Sequence, residues 1–378
     1  MAVTEKRKIQ FIDLKAQQAR IREDVEARMR QVLDHGAYIM GPEVRELEGQ
    51  LAGYTGRKHC VSCASGTDAL LMALMAYNIG PGDAIITSPF TFIATAEVIS
   101  LLGATPVFVD IDPETYNLDP GELEAAVRSD LLQKKGLTVR GIIPVDLFGQ
   151  PADYAEISDF AKKYGLFVIE DAAQAFGAEY RGAKSCSFGE IACTSFFPAK
   201  PLGCYGDGGA VFTDDDGLAE KLRSIRVHGQ GHHKYDNVRI GINGRLDTMQ
   251  AAVLLSKMTI FDDELPRRNR VAERYNASLA GTVVTPVVRE DRSSVWAQYC
   301  ILSNDRETLI ARLKEKGVPS AIYYPKPLHL QDAYQSLGYR MGDFPKTEYA
   351  AERIFSLPMH PYLDAEEQDY IVAAFGER

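Results

Sequence analysis

From residue 59 onward, short apolar runs alternate with stretches of helical character. The apolar runs contain few polar positions, which is typical of strands that helices cover on both faces. The predicted strands are HCVSCAS, DAIITSP, TPVFVDI, RGIIPVDLFG, LFVIED, ACTSFF and GGAVFTD. The predicted helices among them are TDALLMALMAY, TAEVISLLG and DYAEISDFAKKYG. This βαβα order predicts an α/β fold with a mostly parallel sheet and right-handed crossovers.

The pattern changes after about residue 260. A charged segment, DDELPRRNRVAERYNASL, indicates a connecting helix, and SVWAQYCIL, RETLIARLKEKG and PSAIYYP indicate a smaller α+β domain. Near the N-terminus, LKAQQARIREDVEARMRQVLDHG predicts a helix that Gly36 closes. We therefore predict a large domain at 1–260, which includes this helix, and a small C-terminal domain at 261–378.

Composition narrows the class of protein. The 378 residues are 46% hydrophobic and 25% charged, which is typical of a globular chain of about two domains. The net charge of −10 argues against nucleic-acid binding. The apolar runs are shorter than the ~18 residues of a membrane span, and no apolar stretch follows the basic N-terminus. We therefore expect a cytoplasmic protein without membrane contact.

Cys60 and Cys63 form a C-x-x-C motif, the arrangement found in redox and zinc sites. A zinc site needs a second such pair, which the sequence lacks. We interpret both cysteines as small residues in a buried strand, and we predict no metal site.

One stretch, residues 226–245, departs from the acidic balance. It holds three of the seven histidines and a single acid, Asp236. Its basic residues are Arg226, Lys234, Arg239 and Arg245. A basic, glycine-rich loop on an acidic protein favours an anionic ligand, although a solvated loop explains the stretch equally well.

Ligands of open α/β sheets bind at the carboxyl ends of the strands, so the residues that follow each strand are candidates. Gly66 and Thr67 open a helix, where free N–H groups can hold a phosphate; a plain helix cap is the alternative. Phe92 can stack on a planar ring, although phenylalanines more often pack in the core. Asp171 can cap a helix or bind a protonated ring nitrogen, and Gln174 lies one turn further on.

Lys200 lies in TSFFPAKPLGCYGDGG, two residues after one proline and directly before another. A proline restricts the backbone of the residue before it, and apolar neighbours desolvate the amine. Desolvation lowers the pKa of a lysine and makes it a nucleophile that forms Schiff bases. Ser195 can add a hydroxyl to the same pocket. A phosphate cradle, an aromatic ring, a carboxylate, a serine and a lysine together match the needs of pyridoxal 5′-phosphate (PLP).

The chain also resembles the DegT/DnrJ/EryC1/StrS family of sugar aminotransferases over nearly its whole length. The motifs that carry the resemblance are YIMGPEVRELE, SCASGTDAL, TSPFTFIATA, VIEDAAQAFGA, TSFFPAKPLGCYGDGG, GINGRLDTMQAA, YYPKPLH and SLPMHP. The resemblance implies PLP as cofactor and the aspartate-aminotransferase-like fold, called fold type I. It implies that Lys200 is the catalytic Schiff-base lysine and that Asp171 pairs with the pyridine nitrogen.

The resemblance also assigns the other cofactor residues. Gln174 binds the ring hydroxyl, and Phe92 stacks on the ring. The phosphate is held by Gly66, Thr67 and Ser195, together with Asn243 from the other subunit of a homodimer. Arg245 comes from the same partner loop, and the resemblance implies that it binds the nucleotide sugar.

FIDLKAQQARI and HGAYIMGPEV resemble a subgroup that transfers an amino group from L-glutamate to C3 of UDP-2-acetamido-2-deoxy-3-oxo-glucuronate. Members of this subgroup make precursors of surface polysaccharide or lipopolysaccharide O-antigen. The resemblance implies a sugar-nucleotide site formed by Gly36, Tyr38, Arg245, Tyr323, Tyr324 and His329.

The sequence departs from the subgroup at two positions that both lie near the sugar. Tyr323 stands where a histidine is expected, and Ala199 stands where a serine is expected. Another keto-sugar nucleotide, such as UDP-3-oxo-N-acetylglucosamine or a dTDP-keto-6-deoxyhexose, therefore remains an alternative substrate. A non-catalytic regulatory relative is a further alternative, but the intact Lys200, Asp171 and Ser195 argue against it.

Overall fold

The computed structural model describes residues 9–233 and 235–376. The strands are β1 (His59–Cys63), β2 (Asp83–Thr87), β3 (Thr105–Phe108), β4 (Thr138–Ile142), β5 (Phe167–Asp171), β6 (Glu179–Tyr180), β7 (Ala183–Lys184), β8 (Ile191–Ser195), β9 (Gly209–Thr213), β10 (Tyr299–Leu302) and β11 (Ile354–Leu357). The α-helices are α1 (Leu14–His35), α2 (Pro42–Thr55), α3 (Gly66–Ala76), α4 (Ala94–Leu101), α5 (Leu123–Ala126), α6 (Asp130–Lys135), α7 (Tyr154–Tyr164), α8 (Asp216–Ile225), α9 (Thr248–Leu279), α10 (Arg306–Glu315), α11 (Pro345–Arg353) and α12 (Ala365–Gly376).

Seven strands form the central sheet in the order β1-β9-β8-β5-β4-β2-β3. The neighbours from β8 to β3 pair in parallel, so the predicted α/β class is confirmed. The expectation that GGAVFTD continues the parallel pattern is wrong, because β9 is antiparallel to both β1 and β8. Parallel neighbours need a long crossover, usually a helix, whereas only a loop joins β8 to β9. The chain therefore turns back along the sheet, and that loop carries Lys200.

Apolar side chains fill both faces of the central sheet. The helix α3, against one face, is buried along most of its length, in agreement with its nearly uniform apolar sequence. A separate core forms beyond the sheet around Tyr275, Tyr299 and Phe355, where the antiparallel pair β10 and β11 packs against α9, α10 and α12. The boundary that we predict between residues 260 and 261 falls inside α9, which continues from one core to the other.

The predicted N-terminal helix is confirmed as α1, which Gly36 ends with a left-handed φ of 67°. The helix packs along α9, and the chain before it contacts the C-terminal part of the molecule, where the Met359 N–H donates to the Phe11 carbonyl at 3.2 Å. Cys60 and Cys63 are buried and unpaired, as interpreted from the sequence. Among the described residues, no helix combines the length and apolar character needed to cross a membrane.

Candidate active site

The ends of β1 and β8 meet at the start of α3. Ser65 caps this helix, because its hydroxyl accepts a 3.0 Å hydrogen bond from the Asp68 N–H. The helix-cap interpretation thus applies to Ser65, while the first turn leaves the N–H groups of Gly66 and Thr67 without helical acceptors. A Cβ at Gly66 would lie 2.6 Å from the Cβ of Ser195, so only glycine permits this close approach. Two N–H groups and a hydroxyl converge here, a donor set suited to a phosphate.

Asp171 ends β5 and is 4% exposed. Its carboxylate accepts hydrogen bonds from the Thr95 hydroxyl at 2.8 Å and from the Ala173 N–H at 3.2 Å. Burial raises the pKa of Asp171, while these two bonds and the charge of Lys200 oppose the rise. Thr95 did not emerge from the sequence. The feature that could have identified it is its position in TSPFTFIATA, in the first turn of α4, because side chains in that turn reach back toward the strand ends.

Phe92 lies three residues before Thr95 and is 56% exposed. The core-packing alternative is therefore wrong for this phenylalanine. Its ring is available to a planar ligand, whereas its neighbour Phe90 is buried and packs against Tyr116, Phe148 and Tyr324.

Lys200 lies in the loop between β8 and β9 and is half-buried. Its backbone N–H donates to the Phe197 carbonyl at 2.8 Å, which holds the loop in a turn. Desolvation lowers the pKa of the Lys200 amine to about 8, and the carboxylate of Asp171 opposes this shift. At that pKa about one amine in ten is uncharged at pH 7, against about one in 3,000 for an ordinary lysine. The structure therefore supports the nucleophilic character predicted from the sequence.

Gln174 is held at both ends of its amide. Its carbonyl oxygen accepts a 2.6 Å bond from the Phe148 N–H, and its NH₂ group donates to the Tyr324 hydroxyl at 3.0 Å. This second bond brings Tyr324 to the edge of the site, where burial raises the pKa of its hydroxyl. Tyr323 is adjacent and half-buried.

The structure brings two distant segments together at the start of α9. The Thr248 N–H donates to the Tyr38 carbonyl at 3.0 Å, and Ile39 pairs with Asp247. Arg245 donates to the side-chain oxygen of Asn243, which is exposed, while the Nε of Arg245 is buried and makes no hydrogen bond. The predicted substrate residues Gly36, Tyr38 and Arg245 thus share one surface with Asn243, the residue predicted to reach the cofactor phosphate.

Not all of the basic residues in 226–245 belong to that surface. Arg226 is buried, forms an ion pair with Glu48 and donates to the Ser62 carbonyl at 2.8 Å. Its charge therefore stabilises the fold and is not available to an anionic ligand. Lys234 lies outside the described residues.

His329 is the most deeply buried of the predicted substrate residues. Its side chain is fully buried and its Nε2 lies 3.0 Å from a carboxylate oxygen of Glu348. The adjacent Leu328 N–H donates to the Pro89 carbonyl at 2.8 Å, which ties this loop to the segment before Phe92. The substrate-binding role that the resemblance implies for His329 stays a prediction.

The chemistry of these groups fits PLP. Gly66, Thr67 and Ser195 supply donors for a phosphate, Asp171 supplies a buried acceptor for a ring N–H, and Lys200 supplies an amine of lowered pKa. A metal is not suggested, because the described part of the chain has no group of three His, Cys, Asp or Glu side chains that could hold one.

Known proteins are similar to this chain over nearly its whole length. The chain matches the model of the DegT/DnrJ/EryC1/StrS aminotransferase family over residues 19–376. The UDP-2-acetamido-2-deoxy-3-oxo-D-glucuronate aminotransferase of Pseudomonas aeruginosa is 52% identical over 97% of this chain and 99% of its own.

Two solved structures are also similar. A DegT/DnrJ/EryC1/StrS aminotransferase from Brucella abortus is 51% identical, with a TM-score of 0.95 over 98% of this chain and 100% of that chain. The ntda protein of Bacillus subtilis, solved with bound cofactor PMP, is 30% identical, with a TM-score of 0.89 over 99% of this chain and 86% of that chain. The protein therefore belongs to the DegT/DnrJ/EryC1/StrS aminotransferase family and is a transaminase that uses PLP.

Proposed function

We propose that this enzyme transfers an amino group from L-glutamate to C3 of UDP-2-acetamido-2-deoxy-3-oxo-glucuronate. The observation that carries the proposal is the near-full-length likeness to the Pseudomonas aeruginosa enzyme described above, combined with an intact pair of Lys200 and Asp171. The product would be a precursor of surface polysaccharide or lipopolysaccharide O-antigen.

Bound PLP supplies an electron sink for the carbon–hydrogen bond that must break. Lys200 would hold the cofactor through its amine and, when that amine is free, would act as a general base and acid. Its lowered pKa keeps a useful fraction of the amine uncharged near neutral pH, so that it can accept a proton from the Cα of the donor and deliver it to the cofactor. The donor would leave as 2-oxoglutarate, and Lys200 would move the proton in the opposite direction when the sugar ketone takes up the amino group.

Asp171 accepts the hydrogen bond of the protonated ring nitrogen in this proposal. Thr95 and the Ala173 N–H hold its carboxylate in place and favour its charged form against the effect of burial. Gln174 and Phe92 orient the ring, through its hydroxyl and its face respectively. Gly66, Thr67 and Ser195 anchor the phosphate.

The active site is shared by two subunits of a homodimer in this proposal. Asn243 reaches the phosphate of the partner subunit's cofactor, and Arg245 reaches its nucleotide sugar. Support comes from several large apolar side chains that are exposed around this loop in the single subunit. Exposed apolar patches of this kind often mark a protein–protein interface. These side chains are Leu33, Tyr38, Ile39, Val238 and Ile240.

The sugar nucleotide lies against Gly36, Tyr38, Tyr323, Tyr324 and His329 in this proposal. The carboxylate of the uronate pairs with Arg245, whose Nε is buried without a hydrogen-bond partner. We also place the enzyme in the cytoplasm, because all six cysteines are unpaired and buried, which is typical of a reducing compartment.

The test is a coupled assay that depends on L-glutamate, run with a panel of keto-sugar nucleotides. A charge-assisted contact is worth about 1.5–3 kcal/mol, so kcat/KM for the UDP-3-oxo-glucuronate sugar should exceed that for UDP-3-oxo-N-acetylglucosamine at least about ten-fold. Equal values for the two sugars would remove the uronate assignment. A preference for a dTDP-keto-6-deoxyhexose would assign the enzyme to another branch of the family.

A further inference from the structure

A small chamber lies beside Lys200, between the N-terminal segment, α9 and the loop that follows β11. Its walls include Gln17, Arg268, His360 and Tyr362. The chamber has a volume of about 10 Å³, which is close to the smallest volume that holds one ordered water molecule.

Three buried polar atoms in the chamber walls make no hydrogen bond to the described residues. They are the Oε1 of Gln17 and both ring nitrogens of His360. The two side chains are only 7% and 3% exposed. Because buried polar groups are nearly always paired with protein or ordered water, unpaired atoms beside a water-sized chamber indicate a water site.

The charged neighbours explain which hydrogen bonds are available. Burial and Arg268 lower the pKa of His360 to about 4, against the opposing effect of Asp13. The ring is therefore neutral at physiological pH, with one acceptor nitrogen and one N–H. The carboxylate of Glu264 is already occupied, because it accepts from the side chains of Gln17 and Tyr362.

We propose that His360 and Gln17 hold one water molecule in this chamber, and that this water accepts a hydrogen bond from the free amine of Lys200. A water molecule donates twice and accepts twice. If its two hydrogens are taken by Gln17 Oε1 and the acceptor nitrogen of His360, only its lone pairs remain for the lysine.

His360 and Gln17 are positioning residues in this arrangement, since they act on Lys200 through the water. The inference rests on the proposed role of Lys200 as the cofactor lysine. Asp171 is the charged group that raises the pKa of the Lys200 amine, and substitutions in the chamber leave this carboxylate in place.

The experiment uses the enzyme loaded with pyridoxamine phosphate, the form in which Lys200 is free. Competitive acetylation at a series of pH values, with mass spectrometry of peptide 194–209, gives the titration midpoint of Lys200. Removal of an acceptor disfavours the charged amine, so Gln17→Leu and His360→Leu should each lower the midpoint by about one unit. The double variant should lower it no further, because either change removes the same water.

Two further variants test folding and specificity. His360→Gln restores an acceptor and should restore the midpoint, and Ile12→Val, in the apolar wall of the chamber, should leave it unchanged. Unchanged midpoints in both leucine variants, or fully additive shifts, would overturn the inference. A crystal structure of the loaded enzyme without a water between His360 and Gln17 would overturn it as well.

A separate measurement distinguishes a failure of the proposed water site from a failure of the proposed function. Borohydride reduction of the PLP form places a covalent label on the cofactor lysine. A label on another lysine would contradict the role of Lys200 itself. A label on Lys200 with an unmoved acetylation midpoint would contradict only the water site.

Discussion

The Thr95 hydroxyl donates a 2.8 Å hydrogen bond to the Oδ2 of Asp171 in the buried floor of the site. The two residues are 76 positions apart in the chain: Thr95 lies in the first turn of α4, and Asp171 ends β5. This bond favours the charged form of a carboxylate that burial alone would drive toward neutrality. Thr95 is therefore the residue that lets Asp171 remain an acceptor.

As the pH is lowered, the Thr95→Val variant should lose activity at a higher pH than the wild type does. The variant keeps the shape of the side chain but removes a bond that lowers the pKa of Asp171, so the pKa rises and the acid limb of the pH profile of kcat/KM moves to higher pH. A charge-assisted bond of about 1.5–3 kcal/mol corresponds to about one to two pH units. Thr91→Val, which removes a 3.3 Å contact with Thr95 only, is the matched control. Identical acid limbs in wild type and Thr95→Val would contradict the prediction.

Gly66→Ala should abolish stable binding of PLP. The new Cβ would meet the Cβ of Ser195 at 2.6 Å and force the start of α3 away from β8. Overpacking of this kind costs about 1–3 kcal/mol of stability and separates the phosphate donors. Gly53→Ala, in α2 with open space around it, is the control and should raise the melting temperature slightly. Equilibrium dialysis with PLP measures the loss, and wild-type affinity in Gly66→Ala would refute the proposed cradle.

Lys200→Met should stabilise the cofactor-free protein at neutral pH. The folded protein lowers the pKa of Lys200 from 10.5 to about 8, so below pH 8 the folded state must hold a charge that burial disfavours. Between about pH 8 and 10.5 the unfolded state binds more protons, and the stability of the wild type rises with pH. In denaturant unfolding, the free energy of unfolding of Lys200→Met should therefore exceed that of the wild type by about 1–3 kcal/mol at pH 7. The difference should nearly vanish at pH 10.5. A difference that does not depend on pH would contradict the lowered pKa.

A mixed dimer of Lys200→Ala and Arg245→Ala subunits should regain activity. Each variant alone should be nearly inactive, because the proposed function makes Lys200 the cofactor lysine and Arg245 the charged partner of the sugar nucleotide. If Lys200 of one subunit works with Arg245 of the other, a mixed dimer places both lesions in one site and leaves the second site intact. Random re-association of equal amounts then returns about a quarter of wild-type activity. A doubly tagged, purified mixed dimer that stays inactive would refute the shared site.

Local sequence was sufficient to predict most of the strands and helices and to single out candidate residues for the site. The apolar runs located the strands because both faces of the sheet are covered, and Gly36 marked the end of α1 because few other residues adopt its backbone conformation. Lys200 was recognisable because its prolines, glycines and apolar neighbours all lie within the same short segment. These are properties of a few consecutive residues, and they do not depend on the rest of the chain.

Tertiary structure alone decided the direction of β9, the burial of Arg226 against Glu48, and the pairing of Thr95 with Asp171. It also decided that His360 and Gln17, which are far apart in the chain, line one chamber with Lys200. The sequence by itself determined which reactive side chains the protein has and which predicted strands they follow. Only packing determined which groups meet, because a hydrogen bond or an ion pair between distant segments depends on the register of strands and helices that no local pattern encodes.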